Sequence, residues 1–210
     1  MNDTPRQQLV SRFVDKAKAV SAFVTEISSL DEAIAYTLDL CGSRGACRIK
    51  ISGCEEALSP PAGELCLTKQ AKIVAAPDLD PELFQRLAEA CSEAGFACLR
   101  DGMRQHLGVI DIGFTIADLG IAETGTLVLN CPGEDLRLAT MISEYHVAVL
   151  PKGSIVADGF AAESQLRKYL HRTPDYTAFI TGASRTADIE RVLAMGVHGP
   201  LELHILLLED

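Results

Sequence analysis

A carboxylate and two hydroxyl side chains surround one glycine near the middle of the chain, within "IAETGTLVLN", Ile121 to Asn130. Glu123 could act as a nucleophile or a general base, and Gly125 would let the backbone turn and a ligand approach closely. Thr124 and Thr126 would line the same pocket. The alternative is a β-bulge or a tight connection, with Glu123 in solvent or paired with an arginine. The spacing alone leaves both interpretations open.

A second stretch, "FITGASRTADIE", is typical of an anion-binding loop. A predicted strand leads into Gly182, and Ser184 and Thr186 then open a predicted helix. The unpaired N–H groups and the dipole of that helix would face an anion, and Arg185 could add a positive charge. Plain N-capping by Ser184 or Thr186 explains the pattern equally well. The sequence has no Walker pattern and no Gly-x-Gly-x-x-Gly, so it does not indicate nucleotide binding.

Two further side chains could serve a ligand. Lys152 follows a predicted strand that ends at Pro151, and open α/β sheets bind ligands at the carboxyl ends of their strands. A lysine in a solvated turn is the alternative. His198, in "GVHGP", could transfer protons near neutral pH, or it could be a structural loop histidine. The histidines show no metal-ligand spacing, so we expect no metal site.

The elements that would position these residues alternate between strands and helices. Apolar residues at helical spacing predict an opening helix over Leu9 to Val24, and Ser29 with Glu32 predicts a capping box for a second helix. A third helix should begin after Asp80 and stop at Gly95. Further strands are predicted in "ACRIKISG", "AKIVAAP", "FACLR", "GVIDIGFTIADLG", "HVAVLP", "YTAFITG" and "LELHILLLE", and further helices in "GEDLRLATMISEY", "FAAESQLRKYLH" and "TADIERVLAMG".

This alternation predicts an α/β fold with a mostly parallel, twisted sheet flanked by helices. We expect residues 1–42 to form a helical N-terminal extension and residues 43–210 to form a single α/β domain.

Composition excludes several classes of protein. The net charge of -10 argues against binding to nucleic acid or to anionic membranes, which need clustered Lys and Arg. The seven cysteines contain no C-x-x-C pair, so they indicate neither a disulfide framework nor a cysteine-ligated zinc or iron–sulfur site. No apolar run approaches the length of a membrane span or a signal peptide, so we expect a cytoplasmic protein.

Three stretches, taken in order, resemble the signature of the LUD family: "DLGIAETGTLVLN", "YHVAVLP" and "ITGASRTADIERVLAMGVHGPLELHILLLED". The resemblance covers roughly Asp111 to Leu208. It implies a fold similar to the superfamily of glucosamine-6-phosphate deaminase, ribose-5-phosphate isomerase and the CoA transferases. It also implies a role in oxidising L-lactate to pyruvate alongside two other proteins, at least one of which carries iron–sulfur clusters.

The resemblance leads to three hypotheses about function. In the first, the chain is an accessory subunit that carries no cofactor and binds a small carboxylate, a phosphorylated metabolite or its iron–sulfur partner. In the second, it is an autonomous enzyme, resembling acyl/CoA transferases or sugar-phosphate isomerases, that uses Glu123. The superfamily's CoA transferases use a glutamate in a Glu-x-Gly setting, which Glu123 and Gly125 match. In the third, it is a non-catalytic ligand sensor or structural partner.

The resemblance also implies where a pocket would lie. Glu123 and Gly125 should line it at the carboxyl edge of the sheet, with the loop from Gly182 to Thr186 beside them.

Overall fold

The computed structural model describes residues 5–44, 71–107, 109–170, 176–186, 194–195 and 199–209. The described helices are α1 (Pro5–Ala19), α2 (Leu30–Ser43), α3 (Pro81–Glu93), α4 (Glu134–Ile142) and α5 (Gly159–Tyr169). The described strands, numbered along the chain, are β1 (Ala22–Ile27), β2 (Ile73–Ala75), β3 (Ala97–Leu99), β4 (Ile112–Ile116), β5 (Leu119–Ile121), β6 (Thr126–Cys131), β7 (Tyr145–Pro151), β8 (Ile155–Val156), β9 (Tyr176–Ile180), β10 (Arg185–Thr186), β11 (Ala194–Met195) and β12 (Glu202–Leu208). The predicted strand "ACRIKISG" lies outside the described residues.

Six of the described strands form the main sheet, in the order β1-β12-β7-β4-β2-β3. Every neighbouring pair is parallel, and the seven residues of β12 pair with β7 over their full length. The central strands β7 and β12 are almost wholly buried, as their continuous apolar sequences predict for strands covered on both faces. The predicted fold class, a mostly parallel α/β sheet flanked by helices, is confirmed.

Helices cover both faces of this sheet. On one face, α2 and α3 pack on a buried cluster that includes Phe114, Val147 and Leu206. On the other face, α1 and α4 pack on a cluster that includes Leu150 and Ile205. The side chain of Ser29 caps α2 and that of Asp80 caps α3, so both predicted helix starts are confirmed.

A second, smaller sheet packs against α1. Its strands lie in the order β8-β5-β6-β9, with β6 antiparallel to both of its neighbours and β5 parallel to β8. Strand β5 follows β4 after two residues, and β8 follows β7 after a single turn, so both continue from the carboxyl edge of the main sheet. Leu127 and Leu129 of β6 share a buried cluster with Phe13 and Ala17 of α1 and with Leu150 of β7.

The opening helix is shorter than its periodicity predicts. It ends at Ala19, because the N–H groups of Val20 and Ser21 close its last turn and Ser21 takes a left-handed backbone with φ 65°. Val24 therefore lies in β1, which pairs with β12 in the main sheet. The predicted extension of the helix to Val24 is wrong, and a strand follows it. The division of the chain at residue 42 stays a prediction.

The predicted helix "TADIERVLAMG" is wrong at both described ends. Arg185–Thr186 form β10 and Ala194–Met195 form β11, which pair antiparallel, while residues 187–193 lie outside the described part of the chain. None of the helices in the described part is long and apolar enough to cross a membrane.

Candidate functional site

The Glu123 segment is a tight connection between two antiparallel strands. Residues 122–125 turn the chain from β5 into β6, and the N–H of Gly125 donates to the carbonyl of Ile121 at 2.9 Å. The N–H of Glu123 donates to the carbonyl of Ala157 at 3.0 Å, which fixes the turn against the start of α5. The polar residues that interrupt this apolar stretch are therefore a hairpin turn, and the side chain of Glu123 is exposed.

The Glu123 side chain lies in a shallow depression beside the first turn of α5. Glu123, Gly159, Phe160 and Glu163 line this depression, whose volume is about 490 Å³. The side chain of Phe160 is 87% exposed, and Asp158 caps the adjacent helix. These lining residues bring two carboxylates and no cation, so the depression does not attract a small carboxylate electrostatically. It leaves Glu123 accessible to a neutral or cationic group, or to another protein.

Gly125 and Thr126 are buried, whereas Thr124 is exposed beside Glu123. The hydroxyl of Thr126 lies 2.6 Å from that of Thr124 and 2.7 Å from that of Thr181, so a chain of three hydroxyls joins the Glu123 turn to the residue before Gly182. The register of β6 and β9, with Leu127 opposite Ile180, places the two segments side by side. The structure therefore brings together the two motifs that the sequence predicted to be neighbours.

Helix α1 occupies the space beside both glycines. Gly125 and Gly182 have left-handed backbones, with φ 67° and 78°. A Cβ on Gly125 would lie 2.3 Å from the backbone nitrogen of Ala17, and one on Gly182 would lie 2.2 Å from the carbonyl oxygen of Val20. The close approach that these glycines permit is therefore made by the last turn of α1.

The anion site predicted at a helix N-terminus is not formed by Ser184 to Thr186. Arg185 and Thr186 lie in β10, and the N–H of Ser184 donates to the carbonyl of Pro200 at 3.0 Å. Because Pro200 precedes β12, this loop lies at the amino end of that strand. The prediction of a position at the carboxyl edge of the sheet is wrong for this loop and for Gly125, because Gly125 and Gly182 both lie against the end of α1 that leads into β1. Arg185 is exposed.

Lys152 lies at the carboxyl edge, as predicted, but it is already paired. Its Nζ donates to Glu26 at 2.8 Å and also to Glu209, and its carbonyl accepts from Arg6. Burial opposes the charge of Lys152, but the bonds to Glu209 and Glu26 outweigh burial and raise its pKa. The length of β12, roughly 20 Å, separates Lys152 from Ser184. The two residues therefore do not share one site.

Two buried histidines are functional candidates that the sequence interpretation missed. His146 is 1% exposed, and its Nε2 lies 2.9 Å from the hydroxyl of Thr115. Burial, and then the charge of His204, lowers the pKa of His146 to about 4. The sequence signal that could have identified His146 was its position inside an otherwise apolar strand. His198, which the sequence singled out instead, lies outside the described residues.

His204 joins a polar network at the amino edge of the sheet. Its Nδ1 lies 2.7 Å from the hydroxyl of Tyr36, and its Nε2 lies 2.9 Å from a carboxylate oxygen of Glu202. Glu202 in turn accepts from Arg44 at 2.7 Å. Burial lowers the pKa of His204 against the influence of Glu202. Among the described residues no group of three or more His, Cys, Asp or Glu could hold a metal ion.

A pair of carboxylates stands where the order of the main sheet reverses. β2 is followed along the chain by β3 on one side, whereas β4 and then β7 lie on the other, and open α/β sheets bind ligands in the crevice at this point. Asp78 follows β2, and Asp118 follows β4. The side chain of Asp118 is partly exposed, but the loss of hydration from neighbouring groups raises its pKa, and the charge of Asp78 adds to the rise, against the 2.7 Å hydrogen bond from the N–H of Asn130. The signal in the sequence was an acidic residue within three positions of the end of each strand.

Comparisons with known proteins agree in one family. The sequence profile of the LUD domain matches residues 10–208. Proteins named Lactate utilization protein C are similar to about half of the chain: that of Shouchella clausii is 34% identical over 115 residues, 53% of this chain and 50% of its own length. That of Halalkalibacterium halodurans is 37% identical over 48% of this chain and 45% of its own length. The matched part thus spans about half the length of these relatives.

One solved structure shares the fold. A DUF162 family protein from Deinococcus radiodurans superposes with a TM-score of 0.55 at 17% sequence identity, over 98% of this chain and 99% of that chain. At this identity the likeness shows a common architecture.

Proposed function

The chain belongs to the LUD-domain family, and from this we propose that it takes part in lactate utilisation, as a component of a system that oxidises L-lactate to pyruvate. The observation that carries the proposal is the match of the family profile over residues 10–208, together with the name shared by the similar proteins.

The proposed role is that of an accessory subunit. Oxidation of a hydroxy acid to a keto acid removes two electrons and two protons, and a protein needs a redox cofactor to accept them. The sequence has no Gly-x-Gly-x-x-Gly and no C-x-x-C pair. We therefore place the redox group on a partner, an iron–sulfur subunit, with no cofactor in this chain.

The Glu123 depression supplies a surface for such a partner. The exposed ring of Phe160 lines the same depression as two carboxylates, those of Glu123 and Glu163. Aromatic side chains ringed by polar groups are typical anchors of protein interfaces. The acidic rim favours a basic partner surface.

Gene deletion tests the proposed role. A strain that lacks this chain should fail to grow on L-lactate and should grow normally on pyruvate, because only the oxidation step is lost. Restoring the gene on a plasmid should restore growth. Unchanged growth of the deletion strain on L-lactate contradicts the proposal.

Variants of the depression test the surface separately. Phe160→Ala and Glu123→Gln should weaken recovery of the partner in a pull-down from lactate-grown cells. Glu89→Gln, at an exposed position of α3, is the matched control and should leave recovery unchanged. Equal recovery with all three variants would reject the surface while leaving the role in lactate utilisation intact.

A second candidate function, an autonomous transferase or isomerase with Glu123 as nucleophile or base, requires that side chain to be accessible, and its exposure meets this requirement. In that case Glu123→Gln should abolish turnover, whereas Glu163→Gln, in the same depression, should retain it. A purified protein that is inert toward panels of acyl-CoA thioesters and sugar phosphates contradicts this candidate.

A further inference from the structure

Two cysteines outside the Glu123 and Ser184 segments lie side by side in the core beneath α3. Cys91 belongs to the buried face of α3, and Cys98 lies at the middle of β3, in register with Val74 of β2. Both pack on the same buried cluster. The two side chains are close enough for each thiol to shift the pKa of the other. Both are free thiols.

The turn between α3 and β3 creates this contact. Gly95 has a left-handed backbone with φ 76°, its N–H donates to the carbonyl of Ser92 at 3.1 Å, and the N–H of Phe96 donates to the carbonyl of Cys91 at 2.8 Å. These two bonds form a Schellman motif, which ends the helix and reverses the chain. The reversal returns β3 across the last turns of α3 and sets Cys98 against Cys91.

The two thiols differ in their access to solvent and in acidity. Cys91 is fully buried, whereas Cys98 is half-buried on the strand at the edge of the main sheet. The interaction with Cys91 lowers the pKa of Cys98, and the same interaction, with burial, raises the pKa of Cys91. An accessible, more acidic thiol beside a buried one is the arrangement in which the first thiol is oxidised and the second resolves it.

We propose that Cys91 and Cys98 form a redox-active dithiol that a peroxide converts to a disulfide. The thiolate of Cys98 attacks one peroxide oxygen, the O–O bond breaks, and water leaves after protonation, so that Cys98 becomes a sulfenic acid. The sulfur of Cys91 then attacks that of Cys98, the S–O bond breaks, and a second water leaves. Two thiols lose two electrons and two protons, and the peroxide is reduced to two waters.

One tryptic peptide reports on the pair. Cleavage after Arg86 and Arg100 releases "LAEACSEAGFACLR", residues 87–100, which contains Cys91 and Cys98 and no other cysteine. The folded protein is treated with hydrogen peroxide and its remaining thiols are alkylated. After digestion without reduction, the mass of the peptide is measured by mass spectrometry. We expect a product that lacks both alkyl groups and is lighter than the free dithiol by two hydrogen atoms. Dithiothreitol should reverse it.

The order of events is tested with variants. In Cys91→Ser, and in Cys91→Ala if the first folds poorly, the sulfenic acid of Cys98 should persist and be trapped by dimedone. In Cys98→Ser, Cys91 should stay reduced. Cys41→Ser, at another buried position, is the control and should leave the disulfide yield unchanged.

The rate in the folded protein distinguishes a built site from a chance pair of cysteines. The disulfide should form at least tenfold faster in the folded protein than in the same chain unfolded in urea. A peptide that stays fully reduced in the folded protein, a rate equal to that of the unfolded chain, or oxidation of Cys91 in Cys98→Ser would overturn the proposal.

Discussion

Replacing Gly125 by alanine should release α1 from the Glu123 turn. The φ of 67° costs an alanine roughly 1–2 kcal/mol, because its Cβ crowds the backbone in the left-handed region. The new Cβ would also lie 2.3 Å from the backbone nitrogen of Ala17 and 2.6 Å from the carbonyl carbon of Lys16. The shorter contact is about 1 Å closer than ordinary van der Waals contact, and overpacking of this kind typically costs about 1–3 kcal/mol.

We therefore expect Gly125→Ala to lower the free energy of unfolding by about 3 kcal/mol. For a chain of this size, that corresponds to a fall in Tm of roughly 6–12 °C. Urea denaturation followed by circular dichroism measures the first quantity, and calorimetry measures the second.

Substitutions at two other glycines distinguish the cost of backbone strain from the cost of the steric clash. Gly102 has φ 75° with nothing within 4 Å of an added Cβ, so Gly102→Ala measures backbone strain alone. Gly113 has no such strain, but its Cβ would lie 2.2 Å from the carbonyl oxygen of Ala139, so Gly113→Ala measures a backbone clash alone. If Gly125→Ala costs no more than Gly102→Ala, α1 does not pack against the turn, and the structural explanation of this glycine is refuted.

Three further predictions concern titration and charge. The pKa of His146 is lower in the folded chain, so the unfolded chain binds more protons. The free energy of unfolding should therefore fall by up to about 3 kcal/mol as pH drops from 6.5 to 4. His146→Gln should lose most of this pH dependence in denaturation curves, whereas His106→Gln should keep it. The raised pKa of Asp118 stabilises the folded chain at low pH, and this stabilisation is lost as pH rises through that pKa. Asp118→Asn should therefore match or exceed the wild-type Tm at pH 7 and lose this advantage at pH 4. A lower Tm at pH 7 would contradict a raised pKa for Asp118. Lys152→Gln should lower the free energy of unfolding by about 1 kcal/mol in low salt and by less in high salt, because the carboxylate partners of Lys152 are largely exposed. If the free energy of unfolding is unchanged at both salt concentrations, these ion pairs contribute nothing to stability.

The elements of the fold were largely predictable because local signals and tertiary packing agree in most of them. Ser29, Asp80 and Gly95 mark helix ends that the structure confirms, since capping side chains and a left-handed glycine act within one turn. The end of α1 was not predictable from periodicity. Val20 and Val24 continue the helical spacing, but the left-handed turn at Ser21 and the pairing of β1 with β12 decide that segment.

The candidate site was predictable in part. Hydroxyl contacts join the Glu123 turn to Thr181, beside Gly182, as the sequence suggested, yet the sequence could not show that α1 fills the space beside both glycines. Nor could it show that Lys152 and Ser184 lie at opposite ends of β12, because that separation depends on the second sheet folding back over α1. Side chains that become neighbours only through strand order, such as Asp78 and Asp118, are invisible to spacing along the chain.

Affinity purification of this chain from lactate-grown cells, followed by an assay of L-lactate-dependent reduction of an electron acceptor, tests the proposed role most directly. We predict that an iron–sulfur protein copurifies, that activity falls when this chain is removed, and that adding it back restores activity. Full L-lactate oxidation by the preparation that lacks this chain would contradict the account.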